Sequence, residues 1–98
     1  MTRSEAIRTL QDGVPEIRQF GAVSLFLFGS SARDALRDDS DVDVFIDYDS
    51  ASEFSFVELV RLQGFLELKL GRPVDLTTRA GLHPKLRAGI ESSSIRIF

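Results

Sequence analysis

Hydrophobic and polar positions change period several times along the chain, and each change marks an element. Over residues 5–11, Ala6, Ile7 and Leu10 recur at helical spacing, with Ser4 placed to cap a first helix and Gly13 to stop it. Pro15 suits the first turn of a second short helix that closes at Gly21. Residues 22–28 then read AVSLFLF, a nearly all-apolar run bounded by glycines. Such a run is long enough for a strand, too short for a helix, and predicts burial on both faces. Gly29-Ser30 ends the strand, and residues 31–37 carry helix formers that predict a short helix.

After a polar turn at 38–40, residues 41–48 alternate Asp41, Val42, Asp43, Val44 and predict a second strand. Ser52 stands as the cap of a long helix to Leu70, with Phe56, Leu59, Val60, Leu66 and Leu70 among its apolar positions. Gly71 and Pro73 give it a firm stop. Residues 73–77 predict a third strand, apolar except for Asp75 and its threonine. Pro84 opens a last helix to about Glu91, and residues 94–98 are expected to make a short terminal strand. This α-α-β-α-β-α-β-α-β order predicts a small mixed sheet with helices packed on one face, an α/β (α+β) architecture. The link between the first two strands is too short for a right-handed crossover, so that pair is expected to be antiparallel or strongly bent.

Composition narrows the class. The 98 residues with 43% apolar content suit one globular domain over 1–98. No apolar run reaches the length of a membrane span, and no N-terminal apolar region suggests a secretory signal, so a cytoplasmic protein is expected. With no cysteine, a disulfide framework and a thiolate metal site are excluded. The formal charge of −3 conceals an asymmetry. Asp38, Asp39, Asp41, Asp43, Asp47, Asp49, Glu53 and Glu58 fall in residues 38–60, where there is no Lys or Arg. A block of that sign is the reverse of a phosphate-binding footprint, so direct nucleic-acid binding is not expected.

Within the block, Asp41 and Asp43 share one face of a strand, since i and i+2 point the same way. Like charges so close repel unless a cation sits between them, and a divalent metal accepts carboxylate oxygens readily. The plainer reading is a solvated acidic strand end. Gly29-Ser30, a glycine after a buried strand and a hydroxyl opening a helix, is one way to build a phosphate cradle, or else an ordinary capped turn. Arg33, one turn on, could reach a phosphate or pair with Asp34 or Asp38. Asp75 lies opposite its apolar neighbours Val74 and Leu76. It completes a carboxylate cluster if its strand lies beside residues 41–46, or else sits exposed or pairs with Arg72 or Arg79. His83, just before Pro84, reads as a helix-terminal or surface residue. The phenylalanines read mostly as core.

Gly29-Ser30-Ser31-Ala32-Arg33 followed by Ser40-Asp41-Val42-Asp43-Val44 gives G-S-x(10)-D-x-D. This resembles the signature of the DNA polymerase beta-like nucleotidyltransferases. It is most similar to the minimal nucleotidyltransferases that serve as antitoxins of HEPN/MNT toxin–antitoxin pairs. One departure is Asp34, where the family commonly has Gly. The resemblance implies a single nucleotidyltransferase domain and a transfer of AMP from ATP, with Mg²⁺, to a tyrosine hydroxyl of a partner HEPN toxin. It implies that Asp41 and Asp43 hold the metal, with Asp75 as third carboxylate, base or ligand, and that Gly29, Ser30 and Arg33 hold the nucleotide phosphates. The alternatives are an antitoxin that acts by binding alone, or a nucleotidyltransferase with a small-molecule acceptor.

Overall fold

The computed structural model describes residues 1–32 and 41–98. The first helix, α1 (Arg3–Asp12), begins two residues earlier than its apolar spacing suggests, because Thr2 and not Ser4 is the cap. The Thr2 hydroxyl accepts the Glu5 N–H at 3.1 Å while Glu5 Oε1 accepts the Thr2 N–H at 3.2 Å, so two orphan donors are satisfied reciprocally. The second helix, α2 (Val14–Gln19), carries Pro15 in its first turn. Strand β1 (Ala22–Phe28) has the expected bounds, and a single 3-10 turn, Gly29–Ser31, follows it. The short helix expected over 31–37 falls almost wholly outside the described residues.

Strand β2 is Val42–Tyr48, helix α3 is Phe56–Leu70 and strand β3 is Val74–Thr78. Ser52 does not cap α3. Ser55 does, in a capping box with Glu58, because only Ser55 has its acidic partner at the third helical position. Gly71 closes α3 in the left-handed conformation at φ +69°, the end that the sequence calls for. A 3-10 turn, Arg79–Gly81, leads to α4 (Pro84–Ser93), and β4 (Ile95–Arg96) completes the order.

The sheet order is β3-β2-β1-β4. The short link makes β1 and β2 antiparallel, as expected, whereas α3 supplies a crossover long enough for β2 and β3 to run parallel. One sheet face carries Leu25, Leu27, Val42, Val44, Ile46, Val74 and Leu76, packed against Ala6, Leu10 and Ile17 and against Leu62, Leu66 and Leu70 of α3. The chain is thus a small mixed α+β sheet with helices on that face.

The other face explains why β1 reads as apolar throughout. Phe26 and Phe45 are register partners and stack with ring centroids 4.7 Å apart. The Arg79 guanidinium lies over both rings, 4.9 and 5.0 Å from their centroids. Phe45 is thereby fully buried on a face that no long helix covers. Not every phenylalanine is core, however. Phe56 is 76% exposed, because it sits with Val57 and Val60 on the side of α3 turned away from Leu62 and Leu66. Helix α4 differs from α1 and α3 in burying none of its residues. Its anchor is polar: Arg79 donates to Glu91, and Arg87 pairs with Glu91 at 3.3 Å.

Candidate active site

Strand alternation places Ser24, Phe26 and Phe28 of β1, Asp43, Phe45 and Asp47 of β2, and Asp75 of β3 on the face opposite the main core. The candidate site occupies one end of that face. There β1 stops, and β2 and β3 begin. Phe28 is the register partner of Asp43, and Asp43 of Asp75. Neighbouring strands lie about 4.8 Å apart, so both carboxylates leave the sheet side by side. Asp41 is exposed just before β2, two residues from Asp43. The parallel register that brings Asp75 in is held at its start by Val42 N–H donating to Pro73 O at 3.0 Å. From α3, Glu67 accepts the Val74 N–H at 3.0 Å.

The turn after β1 is built around Asp43. Gly29 has φ +65°, a conformation that costs an L side chain dearly. A Cβ there would also stand 2.5 Å from Asp43 Oδ2, so any other residue would push that carboxylate aside. Ala32 N–H donates to Gly29 O at 3.2 Å and closes the turn. Ser31 is fully buried, and its Oγ accepts the Asp43 N–H at 3.1 Å. Ser30, between them, is half-exposed. Ser31 was not among the expected site residues. A second serine in Gly-Ser-Ser is visible in the sequence, but only the fold shows that it bonds the strand instead of facing solvent. Arg33 and Asp34 lie outside the described residues.

Asp41, Asp43 and Asp75 therefore share one end of the sheet, with Gly29 against Asp43. Among the described residues, no three carboxylates or imidazoles converge closely enough to hold a metal unaided. The donor set consists of hard oxygens on neighbouring strands, which suits Mg²⁺, an ion that takes one or two carboxylates and completes its shell with water and substrate phosphates.

The opposite end of the same face is a structural ion cluster. Arg79 does not partner Asp75. It grips Asp47 with two bonds, Nε to Oδ1 at 2.8 Å and an Nη to Oδ2 at 2.9 Å, and donates to Glu91 as well. Ser24 Oγ donates to Asp47 Oδ2 at 2.7 Å. The hydrogen bond from Arg79 holds the Asp47 carboxyl below the ordinary carboxylate range, against the opposing effect of burial. Asp47 and Glu91 in turn raise Arg79 above its ordinary value. His83 caps α4, its Nδ1 accepting the Lys85 N–H at 3.2 Å, in keeping with its position before Pro84.

A family model described as a nucleotidyltransferase domain matches residues 7–97. The protein adenylyltransferase MntA of Thermococcus cleftensis is 33% identical over 82 residues, covering 83% of this chain and 77% of that protein. A solved structure described as a minimal nucleotidyltransferase superposes with a TM-score of 0.81 at 32% identity, over 97% of this chain and 95% of that one. The fold is also shared, at 16% identity and a TM-score of 0.66, with a structure of a tri-AMPylated Shewanella oneidensis HEPN toxin in complex with its MNT antitoxin. That likeness covers 94% of this chain and 71% of that one. No helix among the described residues is long and apolar enough to cross a membrane.

Proposed function

The chain belongs to the nucleotidyltransferase domain family, and from that premise we propose that it transfers AMP from ATP to a tyrosine hydroxyl of a HEPN-family toxin and so acts as that toxin's antitoxin. The observation that carries the reading is the register of Asp43 beside Asp75, with the Gly29 turn closed against Asp43. The adenylyltransferase name of the Thermococcus relative supports the reaction. The fold shared with an antitoxin bound to its AMPylated toxin supports the partner.

Asp41 and Asp43 would hold Mg²⁺, which neutralises charge on the triphosphate and on the departing pyrophosphate when bound. Gly29 keeps a side chain out of the space beside Asp43, so the backbone can approach a phosphate closely. Ser30, half-exposed in that turn, offers a hydroxyl to the phosphates. Ser31 fixes the height of Asp43 by accepting its N–H. Asp75, exposed beside Asp43 in the register, would take the proton of an incoming hydroxyl or orient it for in-line attack at the α-phosphorus. Arg33, by its place in the motif, is assigned to the phosphates.

The test is incubation with ATP, Mg²⁺ and the HEPN protein encoded beside this chain, read by intact mass. A gain of one or more AMP units on the toxin, absent with chelator, is the expected result. An unmodified toxin in the presence of folded protein would overturn the reading.

A further inference from the structure

Strand β3 is the outermost strand of the sheet, and among the described residues no strand lies beyond it. Because Val42 N–H donates to Pro73 O, alternation turns the backbone polar groups of Asp75 and Thr77 toward β2. Those of Val74, Leu76 and Thr78 turn toward the free edge. The Val74 N–H bears this out, since it meets the Glu67 carboxylate of α3 and not β2. Sheet edges are commonly guarded by lysine, proline or a bulge. Strand β3 reads VDLTT, pairs with β2 without a register shift, and has none of these.

The flank of α3 beside this edge is apolar. Phe56, Val60 and Glu67 recur at helical spacing on one side of α3, the side from which Glu67 reaches Val74. Phe56 is 76% exposed and Val60 52%. At the end of β3, Thr78 joins Phe54, Phe56 and Leu59 in lining a cavity of about 240 Å³, room for one large side chain. The surroundings are acidic. Asp49 and Glu53, both exposed, adjoin the cavity residues Tyr48 and Phe54, and residues 41–60 contain no Lys or Arg. Arg79, which follows β3, is taken up by Asp47 and Glu91.

We propose that the free edge of β3 receives the acceptor segment of the partner protein as an added strand. Its hydroxyl residue stands on the open face beside Asp75, and three residues along, on the α3 side, an apolar side chain enters the cavity at Thr78. That spacing follows from Asp75 and Thr78 lying on opposite faces of one strand. Backbone bonds to Leu76 and Thr78 give affinity, while the cavity and the acidic rim select a segment with an apolar anchor and basic flanks. The inference rests on the nucleotidyltransferase reading and adds how the acceptor is held.

The test measures AMP transfer to the HEPN protein encoded beside this chain, as KM and kcat for that acceptor, in wild type, Phe56→Gln and Val60→Lys. Both positions are exposed, so melting temperature and ATP affinity are expected to match wild type. The KM should rise about 10- to 100-fold, the range for one buried apolar side chain, with kcat little changed. Amide exchange adds a readout that a side-chain contact alone would not move. The acceptor should slow exchange at Leu76 and Thr78 and leave β4, at the opposite edge, as it was. Unchanged KM in both variants, or no slowing at Leu76 and Thr78, would overturn the proposal, while transfer by wild type would keep the nucleotidyltransferase reading. A chain that is dimeric alone and made monomeric by either variant, with KM unchanged, would assign the edge to a second copy and overturn it too. If wild type transfers no AMP, both readings fall.

Discussion

Asp43 and Asp47 stand on the same strand and the same sheet face, four residues apart, and the fold puts them to opposite uses. At Asp47 the neighbours are Arg79, Ser24 and, through Arg79, Glu91. At Asp43 the register partner is another carboxylate, Asp75, and the adjoining turn is a glycine with left-handed backbone. One end of the face is a closed ion cluster that ties α4 to the sheet. The other gathers carboxylates beside the Gly29 turn. The difference comes from neighbours on other elements, which are remote in sequence. An aspartate in an acidic block has no role of its own until those neighbours are known.

The comparison is broken most directly by neutralising each aspartate. Asp43→Asn is expected to lower AMP transfer at least about 1,000-fold, the scale of a lost metal ligand, with little change in melting temperature. Asp47→Asn should do the reverse, keeping transfer and lowering the melting temperature. Rates and melting curves of the two variants, side by side, check it. Equal behaviour would show that the two ends are not functionally distinct.

A smaller effect is expected from Arg79→Met, which keeps much of the stem over Phe26 and Phe45 but removes the bonds to Asp47 and Glu91. Loss of charge-assisted bonds at a half-exposed site costs about 1–3 kcal/mol. It should also raise amide exchange along Pro84–Ser93 more than along β1. Exchange that rises evenly over the chain would deny Arg79 its role as the anchor of α4.

The smallest effect is the pH dependence of the ion cluster. The folded-state value of Asp47 is lowered, chiefly by the Arg79 hydrogen bond. Its contribution to stability is therefore fully present above the ordinary aspartate value, near pH 4, and is lost as pH falls through the lowered folded value. Wild type should lose melting temperature on acidification more steeply than Asp47→Asn does. The gap is modest, because the Arg79 and Asp47 side chains are 26% and 34% exposed and solvent screens them. Melting curves at low pH, with added salt as a control, measure it.

Much of the fold could be read from local pattern. The bounds of β1, the Gly71 stop and the antiparallel β1–β2 pair follow from an unbroken apolar run, a glycine before proline and a short link. Helix starts were less legible. Thr2 and Ser55 cap α1 and α3 in place of Ser4 and Ser52, since what selects a cap is the acid three residues on, not the serine alone. Of the site, Gly29, Ser30, Asp41 and Asp43 were marked by their spacing. Ser31 was not, because it acts on a strand it does not neighbour in sequence, and Arg79, weighed as a partner of Asp75, serves Asp47 at the other end of the face.

By itself the sequence determined the strands, the four longer helices and their order, since periodicity of two and of 3.6 is written residue by residue, although β2 begins one residue after Asp41 and so carries only Asp43 of the expected pair. Only the tertiary structure decided that Asp75 lines up with Asp43, that Arg79 answers Asp47 instead, and that α4 stands beside Gly29. Those are choices of strand register and helix placement. They depend on hydrogen bonds and packing between segments far apart in the chain, and no local pattern encodes them.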